Sequence, residues 1–325
     1  MIEKLYLAYA DGSDPARNLA IASVLMDNVL PGEIILYIWQ NDNTVLIGRN
    51  QDIRKEVNLK AIERDGVRVM RSSAGGAAIY HDTGNLNYSF IARDGDFSAE
   101  RQTAIILDAI CSLGFDAEIK ERGDIFINGK KVTGGGFYHY NGASLQYGTV
   151  LVNCDISKVM EYIVPDPERF AERGLAQISS RMANLCDTIP SVTVEEVGSS
   201  IVSACEREYN TKNILYKLPN RDILEQKEFL YRSRTWIYGR SIEYDHSCEK
   251  RFSWGQLRFE FQTENGEISN LRVLSDSTEP TVIDDIREAL LGVPFNTKAM
   301  VKALRYVEKS QERDDAIALI EEQEY

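Results

Sequence analysis

The sequence predicts an α+β protein in which helices flank a mixed, largely antiparallel sheet. Runs of alternating polar and apolar residues are joined by three Asn-Gly pairs, at Asn128-Gly129, Asn141-Gly142 and Asn265-Gly266. Both central residues of a type I′ turn need positive φ, so each pair predicts a tight β-hairpin. Helical patterns lie on either side of the hairpins, which favours an α+β arrangement. The chain has no strand–helix–strand rhythm with a GxGxxG motif, and a Rossmann dinucleotide domain is therefore not expected.

The first part of the chain combines strands with two clear helices. A strand is predicted at 5–9, and Asp14-Pro15 supplies an N-cap and a first-turn proline for a helix at 16–30. A second helix at 99–113 is expected to end at Gly114, because glycine readily adopts the left-handed conformation found after helix C-termini. The strands expected between these helices lie at 34–39, 44–47, 67–70 and 86–92.

The next part of the chain is predicted to be a connector followed by helices. Residues 165–190 mix proline, arginine and serine with weak periodicity, which indicates a long functional loop or a short-helix connector. An amphipathic helix is expected at 192–209, and a helical bridge at 211–245 follows it.

A domain boundary is predicted near residue 245. Residues 1–245 would form the larger domain and residues 246–325 a small α+β domain. In the small domain, strands at 251–261 and 268–274 pair about Asn265-Gly266, and two or three helices follow. A chain of 325 residues is long for one domain, which supports this division.

The composition excludes several classes of partner and site. Acidic side chains outnumber basic ones by 50 to 37, and the formal net charge of -13 disfavours nucleic acid, which binds a basic face. ATP is not excluded, since it needs only a local basic pocket. No apolar run has the length of a signal-peptide core or a membrane span, so we expect a cytoplasmic protein. The five cysteines lack a CxxC pair and the three histidines are scattered, which predicts reduced thiols and no zinc site.

Two segments carry the strongest functional signal. They read MRSSAGGAAIYHD at 70–82 and GKKVTGGG at 129–136, and each places small residues beside a cation, Arg71 or Lys131. Small side chains let a ligand approach the backbone, and consecutive N–H groups in such turns bind anions. A neighbouring lysine neutralises a phosphate. The alternative interpretation of each segment is a tight turn between strands.

The glycine-rich segments stand among other distinctive stretches of sequence. These are LYIWQNDNTVLIGRNQ at 36–51, YHDTGNLNYSF at 80–90, RGDIFINGKKVTGGG at 122–136, YGTVLVNCD at 147–155, ISSRMANL at 178–185 and the tail segment RFSWGQLRFEF. In order and spacing they resemble the lipoate–protein ligase A family, in its long two-domain bacterial form, over nearly the whole chain. The resemblance implies the catalytic fold of biotin and lipoyl protein ligases, with an accessory C-terminal domain.

The resemblance also implies a two-step reaction. Lipoate and MgATP give lipoyl-AMP and pyrophosphate, with octanoate as another possible acyl substrate. The acyl group is then transferred to a specific lysine of a 2-oxoacid dehydrogenase E2 lipoyl domain or of a glycine cleavage H-type protein. The ligase is expected to be a monomer.

The resemblance assigns roles to individual residues. Lys131 matches the family's essential lysine and is the expected catalytic residue, whereas Lys130 should face the other way on its strand. Asp124 matches the loop aspartate that helps to place Mg²⁺. The other nucleotide-binding residues implied are Arg71, Ser72, Gly75, Gly76, Ala77, Ala78, Ile79, Tyr80, Gly134, Thr149 and Arg181. The substrate-binding residues implied are Trp39, Arg71, Ser73, Gly75, His81, Lys131, Gly135 and Tyr147.

Some of these assignments compete with simpler ones. Trp39 and Tyr80 are candidate walls of an apolar acyl slot, but buried aromatic residues are often only part of a core. For His81, a structural or loop-orienting role is favoured over acid–base catalysis. Residues 166–184, which carry three arginines, are a candidate lid over the acyl-adenylate, and the accessory domain is expected to swing aside for the acceptor.

The glycine loop departs from the family pattern RRxSGGGAV. Ser72 stands at the second arginine and Ala77 at the third glycine, while the usual HHGT is Gln146 to Thr149. Losing an arginine removes a charged donor worth roughly 1.5–3 kcal/mol in a hydrogen bond. Either the site is rearranged, with Arg71 serving in place of the missing arginine, or activity on free lipoate is weakened.

Two other functions therefore remain open. One is an ATP-independent octanoyl or lipoyl transferase of the same fold, a chemistry that uses a cysteine nucleophile in related enzymes. Cys154 lies near the site, but a structural thiol is the favoured interpretation because no activating base is recognisable. The other is a non-catalytic protein that binds lipoyl-adenylate or a lipoyl domain.

Overall fold

The computed structural model describes most of the chain. The described residues are 2–120, 123–164, 181–216, 218, 221–239, 242–323 and 325. The strands are β1 (Lys4–Tyr9), β2 (Glu33–Trp39), β3 (Thr44–Ile47), β4 (Arg68–Arg71), β5 (Ile79–His81), β6 (Asn85–Arg93), β7 (Ala117–Ile119), β8 (Ile125–Ile127), β9 (Lys130–Lys131), β10 (Thr133–Tyr140), β11 (Ala143–Leu151), β12 (Asn213–Leu215), β13 (His246–Arg251), β14 (Gln256–Glu264) and β15 (Glu267–Ser275). The helices are α1 (Pro15–Asn28), α2 (Ile53–Glu56), α3 (Leu59–Asp65), α4 (Ala99–Ser112), α5 (Ile156–Tyr162), α6 (Val194–Tyr209), α7 (Arg221–Arg232), α8 (Arg234–Tyr238), α9 (Pro280–Leu290), α10 (Thr297–Leu304) and α11 (Gln311–Gln323).

A six-stranded mixed sheet forms the centre of the larger domain. Its strand order is β10-β11-β6-β2-β1-β12. The pairs β10–β11, β11–β6 and β6–β2 are antiparallel, whereas β1 is parallel to both β2 and β12. The predicted α+β class with a mixed, largely antiparallel sheet is confirmed. The parallel β1–α1–β2 connection is a strand–helix–strand unit that the sequence analysis did not expect.

The two faces of this sheet are covered differently. One face packs Leu86, Tyr88 and Phe90 of β6 against α4 and α6, in a core completed by residues such as Ile106 and Ile201. The other face packs against α1, where Asp14 caps the helix as predicted by accepting a hydrogen bond from the backbone N–H of Arg17. Because successive strand residues point to opposite faces, Asn85, Asn87 and Ser89 lie on this second face.

A smaller sheet lies beside the second face and carries the glycine loop. Its order is β4-β3-β5, and residues 72–78 connect β4 to β5. Its core includes Val45, Ile47, Tyr80 and Tyr162. A further sheet, β7-β8-β9, holds the second glycine-rich segment through the turn at Asn128-Gly129.

All three predicted Asn-Gly turns are confirmed. Asn128, Asn141 and Asn265 have φ values of 50°, 53° and 54°, and the glycine that follows each has a positive φ as well. These turns connect β8 to β9, β10 to β11 and β14 to β15.

The predicted helical bridge at 211–245 was wrong in one part. Residues Asn213–Leu215 form β12, which adds to the edge of the large sheet by pairing with β1, before α7 and α8 follow. The pairing joins residues about two hundred positions apart, so local sequence alone does not show it. Of the predicted connector at 165–190, residues 165–180 lie outside the described part of the chain.

The C-terminal region is a three-stranded antiparallel sheet, β13-β14-β15, covered by α9, α10 and α11. The predicted single strand at 251–261 was wrong, because it is divided by a turn in which the backbone N–H of Phe252 and the carbonyl of Gly255 pair. The core of this region includes Phe259, Phe261, Ile286 and Met300. Across the described chain, none of the helices has the length and apolar character needed to cross a membrane.

Candidate active site

The second face of the large sheet arranges the candidate residues in two rows across its strands. Each row takes one residue from each of β10, β11, β6 and β2, because these strands are paired in continuous register. The first row is Gly134, Thr149, Asn87 and Trp39. The second row is Gly136, Tyr147, Ser89 and Tyr37.

Lys131 stands at the β10 end of the first row and is paired with Asp124. Its Nζ lies 2.5 Å from Oδ2 of Asp124, and the two side chains are 35% and 23% exposed. A Cβ atom added to Gly134 would lie 3.7 Å from the Nζ of Lys131 and 3.8 Å from the Oγ1 of Thr149. The ammonium group therefore stands over Gly134, beside a hydroxyl group. The neighbouring Lys130 is exposed.

The glycine loop is anchored to the second row by Tyr147. The Tyr147 hydroxyl donates a hydrogen bond to the carbonyl oxygen of Gly75 at 2.7 Å, and its burial raises the pKa of Tyr147 above the usual range. A Cβ atom on Gly136 would lie 2.6 Å from the same hydroxyl oxygen, so the ring uses the space that this glycine leaves. Tyr147 holds the loop in place, in addition to the substrate contact that the sequence analysis expects.

Close backbone packing extends around this loop. A Cβ atom on Gly48 would lie 2.1 Å from the carbonyl oxygen of Gly76, and one on Gly135 would lie 2.5 Å from the carbonyl oxygen of Tyr147. Gly76 itself has a φ of 99°, which disfavours other residues at this position. These positions need glycine for packing reasons that are independent of any ligand.

Arg71 is buried among main-chain carbonyls. Its guanidinium donates to the carbonyl oxygens of Trp236 and Ile237 on α8, and to those of Gly48, Arg49 and Gln51. Burial lowers the pKa of Arg71 to about 10, so the group remains a cation at neutral pH. In this conformation Arg71 braces the base of the glycine loop and does not face an open anion site.

The serines of the loop also have partners within the protein. Ser72 Oγ accepts a hydrogen bond from the backbone N–H of Ala74 at 3.0 Å, and the hydroxyl of Ser73 pairs with that of Tyr231 at 2.7 Å. Ala77 is partly exposed, and Ala78 and Ile79 pack against the core of the smaller sheet.

Trp39 and Tyr80 do not face the same space, contrary to their expected pairing as walls of one slot. Tyr80 points into the core of the smaller sheet, where its ring lies 5.4 Å from that of Tyr162 and its hydroxyl donates to Asn43. His81 is the next residue on β5 and points the other way, with its ring centroid 6.0 Å from that of Trp39 in an edge-to-face arrangement. The strand alternation therefore brings His81, rather than Tyr80, to the sheet face beside Trp39.

The C-terminal region lies against the glycine loop. The backbone N–H of Gly76 donates to the carbonyl oxygen of Ser277 at 3.0 Å, and a Cβ atom on Gly75 would lie 2.1 Å from the same oxygen. An ion pair between Arg49 and Asp284 at 2.7 Å supports this contact. One N–H that the sequence analysis assigns to phosphate binding is thus occupied by a carbonyl of the accessory region.

Arg181 lies next to β9, the strand that carries Lys131. Met182 forms a parallel bridge with Lys131, and the backbone N–H of Ala183 donates to the carbonyl oxygen of Lys131 at 3.1 Å. The Arg181 side chain is exposed. Most of the predicted lid, residues 166–180, lies outside the described residues.

Two protein-family models match the sequence of this chain. Residues 14–206 match the family model of the lipoyl protein ligase A/B catalytic domain, and residues 241–321 match that of the bacterial lipoate protein ligase C-terminus. The chain belongs to the lipoyl protein ligase A/B family. The residues between these matches, 207–240, include β12, α7 and α8.

Solved ligase structures share this fold. The crystal structure of P. falciparum LipL1 in complex with lipoate aligns with a TM-score of 0.83 at 23% identity, covering 97% of this chain and 99% of that chain. A bipartite lipoate protein ligase with its E2 lipoyl domain, from Thermoplasma acidophilum, has a TM-score of 0.65 at 24% identity, over 75% and 98%. Lipoate-protein ligase A bound with ATP has a TM-score of 0.63 at 22% identity, over 74% and 99%. The predicted lipoyl protein ligase-like fold is confirmed.

In this family context, Asp124 is the candidate ligand for Mg²⁺. Among the residues that the structure describes, no group of three or more His, Cys, Asp or Glu side chains is arranged to hold a metal ion. Mg²⁺ bound with a nucleotide commonly takes only one or two carboxylates and completes its shell with phosphate oxygens and water. The single carboxylate of Asp124, beside Lys131, is consistent with this mode of coordination.

Cys154 lacks the properties of a transferase nucleophile. Cys154 is 4% exposed, and burial, with added repulsion from Asp82, raises the pKa of its thiol well above the usual range. A catalytic cysteine needs the opposite shift, because the thiolate is the nucleophile. The structural interpretation of this cysteine is therefore favoured.

The structure adds site residues that the sequence analysis missed. Asn87 lies between Trp39 and Thr149 in the first row, and Asn85 and Ser89 lie on the same face of β6. The sequence contained a signal, because GNLNYSF alternates polar and apolar residues. The structure shows that every position of this strand from Asn85 to Ala92 is buried. Buried polar residues at every second position indicate that one strand face lines a polar site.

Proposed function

We propose that this protein is an ATP-dependent lipoate–protein ligase. It would activate lipoate to lipoyl-AMP and transfer the lipoyl group to a lysine of an E2 lipoyl domain or a glycine cleavage H-type protein. The observation that carries the proposal is the Lys131 ammonium, which stands over Gly134 at the end of a row of residues leading to Trp39. In the proposed complex, the acyl chain would lie along this row with its carboxyl group beside the ammonium.

In the first step, a carboxylate oxygen of lipoate attacks the α-phosphorus of ATP, and the bond to pyrophosphate breaks. Negative charge builds on the phosphate oxygens as the new bond forms, and a preorganised ammonium stabilises that charge. Lys131 would take this role, and its position over Gly134, a residue without a side chain, supports the assignment. Asp124, 2.5 Å from Lys131, orients the ammonium.

Asp124 is also the residue that would hold Mg²⁺ together with phosphate oxygens, and the ion would neutralise polyphosphate charge. In the second step, the uncharged amine of the acceptor lysine attacks the acyl carbonyl carbon, AMP leaves, and the amine loses a proton. In the proposed complex, Lys131 would lie beside this carbonyl group. Its charge would stabilise the oxyanion that forms.

The accessory region must move away from the glycine loop before the nucleotide can bind all the backbone N–H groups of that loop. The Gly76 N–H is bonded to the carbonyl oxygen of Ser277, so phosphate can bind this N–H only after that bond breaks. This geometry supports the expectation that the accessory domain moves during the reaction. The location in the cytoplasm and the monomeric state remain predictions.

Related ligases give the proposal indirect support. One is crystallised with lipoate, one with ATP, and one is described with its E2 lipoyl domain. The competing cysteine-dependent transfer is disfavoured by the buried Cys154 thiol. A binding protein without turnover is favoured only by Ser72 and Ala77, the two loop residues that depart from the family pattern. The Lys131–Asp124 ion pair argues for catalysis.

The proposal is tested by lipoate-dependent exchange of pyrophosphate into ATP. Exchange is expected with the full-length protein, and its addition to an apo lipoyl domain should raise the mass of that domain by one lipoyl group. Transfer from an acyl-carrier protein without exchange would support the transferase instead. Binding of lipoate with neither activity would support the non-catalytic protein.

A further inference from the structure

Several buried polar atoms beside Trp39 have no hydrogen-bond partner among the residues that the structure describes. Among the described side chains, these include Nε2 of His81, Nδ2 of Asn87, Oδ1 of Asn85 and Oγ1 of Thr44. None of the four residues is more than 1% exposed. Buried polar groups in native proteins are almost always satisfied by protein, by ordered water or by a ligand, so this concentration requires an explanation.

These atoms gather at the end of the row that begins at Lys131. Asn87 lies opposite Thr149 on one side and opposite Trp39 on the other. His81 lies opposite Thr44 in the smaller sheet and meets the edge of Trp39. Asn87 is two strand spacings from Gly134, about 10 Å, which is comparable to the length of an extended eight-carbon acyl chain.

A directed hydrogen-bond network fixes the proton on His81. The Tyr37 hydroxyl donates to Oδ1 of Asn18, and Nδ2 of Asn18 donates to Oδ1 of Asn41 at 3.0 Å. The amide nitrogen of Asn41 is then the donor to Nδ1 of His81, at 3.1 Å. Burial lowers the pKa of His81 to about 3, so the ring is neutral and its one proton lies on Nε2.

The amide of Asn87 has one hydrogen-bond partner among the described side chains. Its Oδ1 accepts a hydrogen bond from Nδ2 of Asn85 at 3.2 Å. Within the described part of the chain, the two N–H groups of Asn87 have no acceptor. His81 and Asn87 both lie beside Trp39. Each therefore presents N–H donors that have no acceptor among the described residues.

We propose that His81 and Asn87 are specificity-determining residues that donate hydrogen bonds to the tail of the acyl group. The inference rests on the proposed function and extends it by naming the chemistry of the acyl group that is selected. The tail must carry a hydrogen-bond acceptor, either a dithiolane sulfur or an oxygen atom. A plain alkyl tail such as that of octanoate has none, and it leaves both donors buried and unpaired, so the site rejects it.

The test compares three acids in the pyrophosphate exchange assay: lipoate, octanoate and 8-hydroxyoctanoate. The unmodified protein is expected to have a higher kcat/KM for lipoate, for 8-hydroxyoctanoate or for both than for octanoate. A higher value for lipoate identifies the acceptor as sulfur, and a higher value for 8-hydroxyoctanoate identifies it as oxygen. Asn87→Leu keeps the approximate volume but removes the donors. It should lower that preference about tenfold, mainly through KM, by improving octanoate and weakening the acceptor-bearing acid.

The matched control is Gln146→Leu. Gln146 is also a buried amide of the central sheet, and its Oε1 also lacks a partner among the described residues, but its side chain bonds to Thr103 on the helix-covered face. Its substitution should leave the preference unchanged. His81→Leu should act like Asn87→Leu, whereas His81→Gln, which keeps a donor near the position of Nε2, should restore the preference.

Calorimetric binding of the same three acids separates this inference from the proposed function. If no acid supports exchange but Asn87→Leu still shifts the relative affinities, the proposed function fails and the inference stands. If exchange occurs and the preference is within twofold of the unmodified value in both Asn87→Leu and His81→Leu, the donors bind ordered water only and the inference is overturned. Should Asn87→Leu fail to fold, Asn87→Ala is measured in its place.

Discussion

The backbone amide of Gly76 donates a hydrogen bond to the carbonyl oxygen of Ser277 at 3.0 Å, and so joins the glycine loop to the accessory region. The same carbonyl oxygen lies where a side chain at Gly75 would begin. The absence of side chains at Gly75 and Gly76 therefore has two consequences. It allows the accessory region to dock in this conformation, and in the proposed reaction it would admit a phosphate at the same place.

We expect Lys131→Ala to lower the rate of adenylation by at least two orders of magnitude, since a preorganised charge donor beside the reacting phosphate is lost. The measurement is pyrophosphate exchange at saturating lipoate and ATP. Lys130→Ala is the control, because Lys130 is the adjacent lysine on the same short strand and is exposed. Similar losses in both variants would contradict the assignment of Lys131.

We expect Tyr147→Phe to weaken the use of ATP while leaving the fold intact. The change removes only the hydroxyl that holds the carbonyl of Gly75, and a hydrogen bond of this kind contributes about 0.5–1.5 kcal/mol, or roughly a two- to twelvefold loss in kcat/KM for ATP. Tyr140→Phe is the control, since the exposed Tyr140 lies on the same hairpin. Equal kinetics in the two variants would show that Tyr147 does not position the loop.

Those features of the fold that depend on neighbouring residues could be predicted from the sequence. The Asn-Gly turns form because Asn and Gly both tolerate positive φ. Helix α1 begins at Pro15 because the carboxylate of the N-cap residue Asp14 accepts a hydrogen bond from the first turn. The catalytic role of Lys131 was predicted from the resemblance to the lipoate–protein ligase A family. It did not follow from any local rule, and the sequence could not show that the ammonium stands over Gly134.

Features that depend on distant contacts could not be predicted. The addition of β12 to the sheet, the docking of Ser277 on Gly76 and the burial of Arg71 among carbonyls of α8 all join residues far apart in the chain. Arg71 shows the difficulty clearly. A cation beside a glycine loop predicts anion binding, yet its donors face main-chain carbonyls that only the folded chain brings together.

The stability of the protein should fall as the pH drops below about 6.5, in part through His81. Burial lowers the folded-state pKa of His81 from 6.5 to about 3, so between these values the unfolded chain binds a proton that the folded protein does not. The contribution is fully present above pH 6.5 and is lost as the pH falls, by about 1.4 kcal/mol per unit at most. Denaturant titrations at pH 7 and pH 5 measure it, and His81→Gln should reduce the difference. An unchanged difference in this variant would contradict the buried, neutral state of His81.

Weaker docking of the accessory region should strengthen ATP binding. Asp284→Ala removes the ion pair with Arg49, and a partly exposed pair of this kind contributes about 0.2–1 kcal/mol. The Gly76 amide would then be released from Ser277 more often, so we expect its hydrogen exchange to quicken and the Kd for ATP to fall by up to about fivefold. Lys250→Ala is the control, because its partner Glu322 lies within the accessory region itself and the pair does not touch the glycine loop. Faster exchange at Gly76 with an unchanged Kd for ATP would mean that the nucleotide does not compete with the Ser277 carbonyl. If neither quantity changed, the Arg49–Asp284 pair would not control the docking.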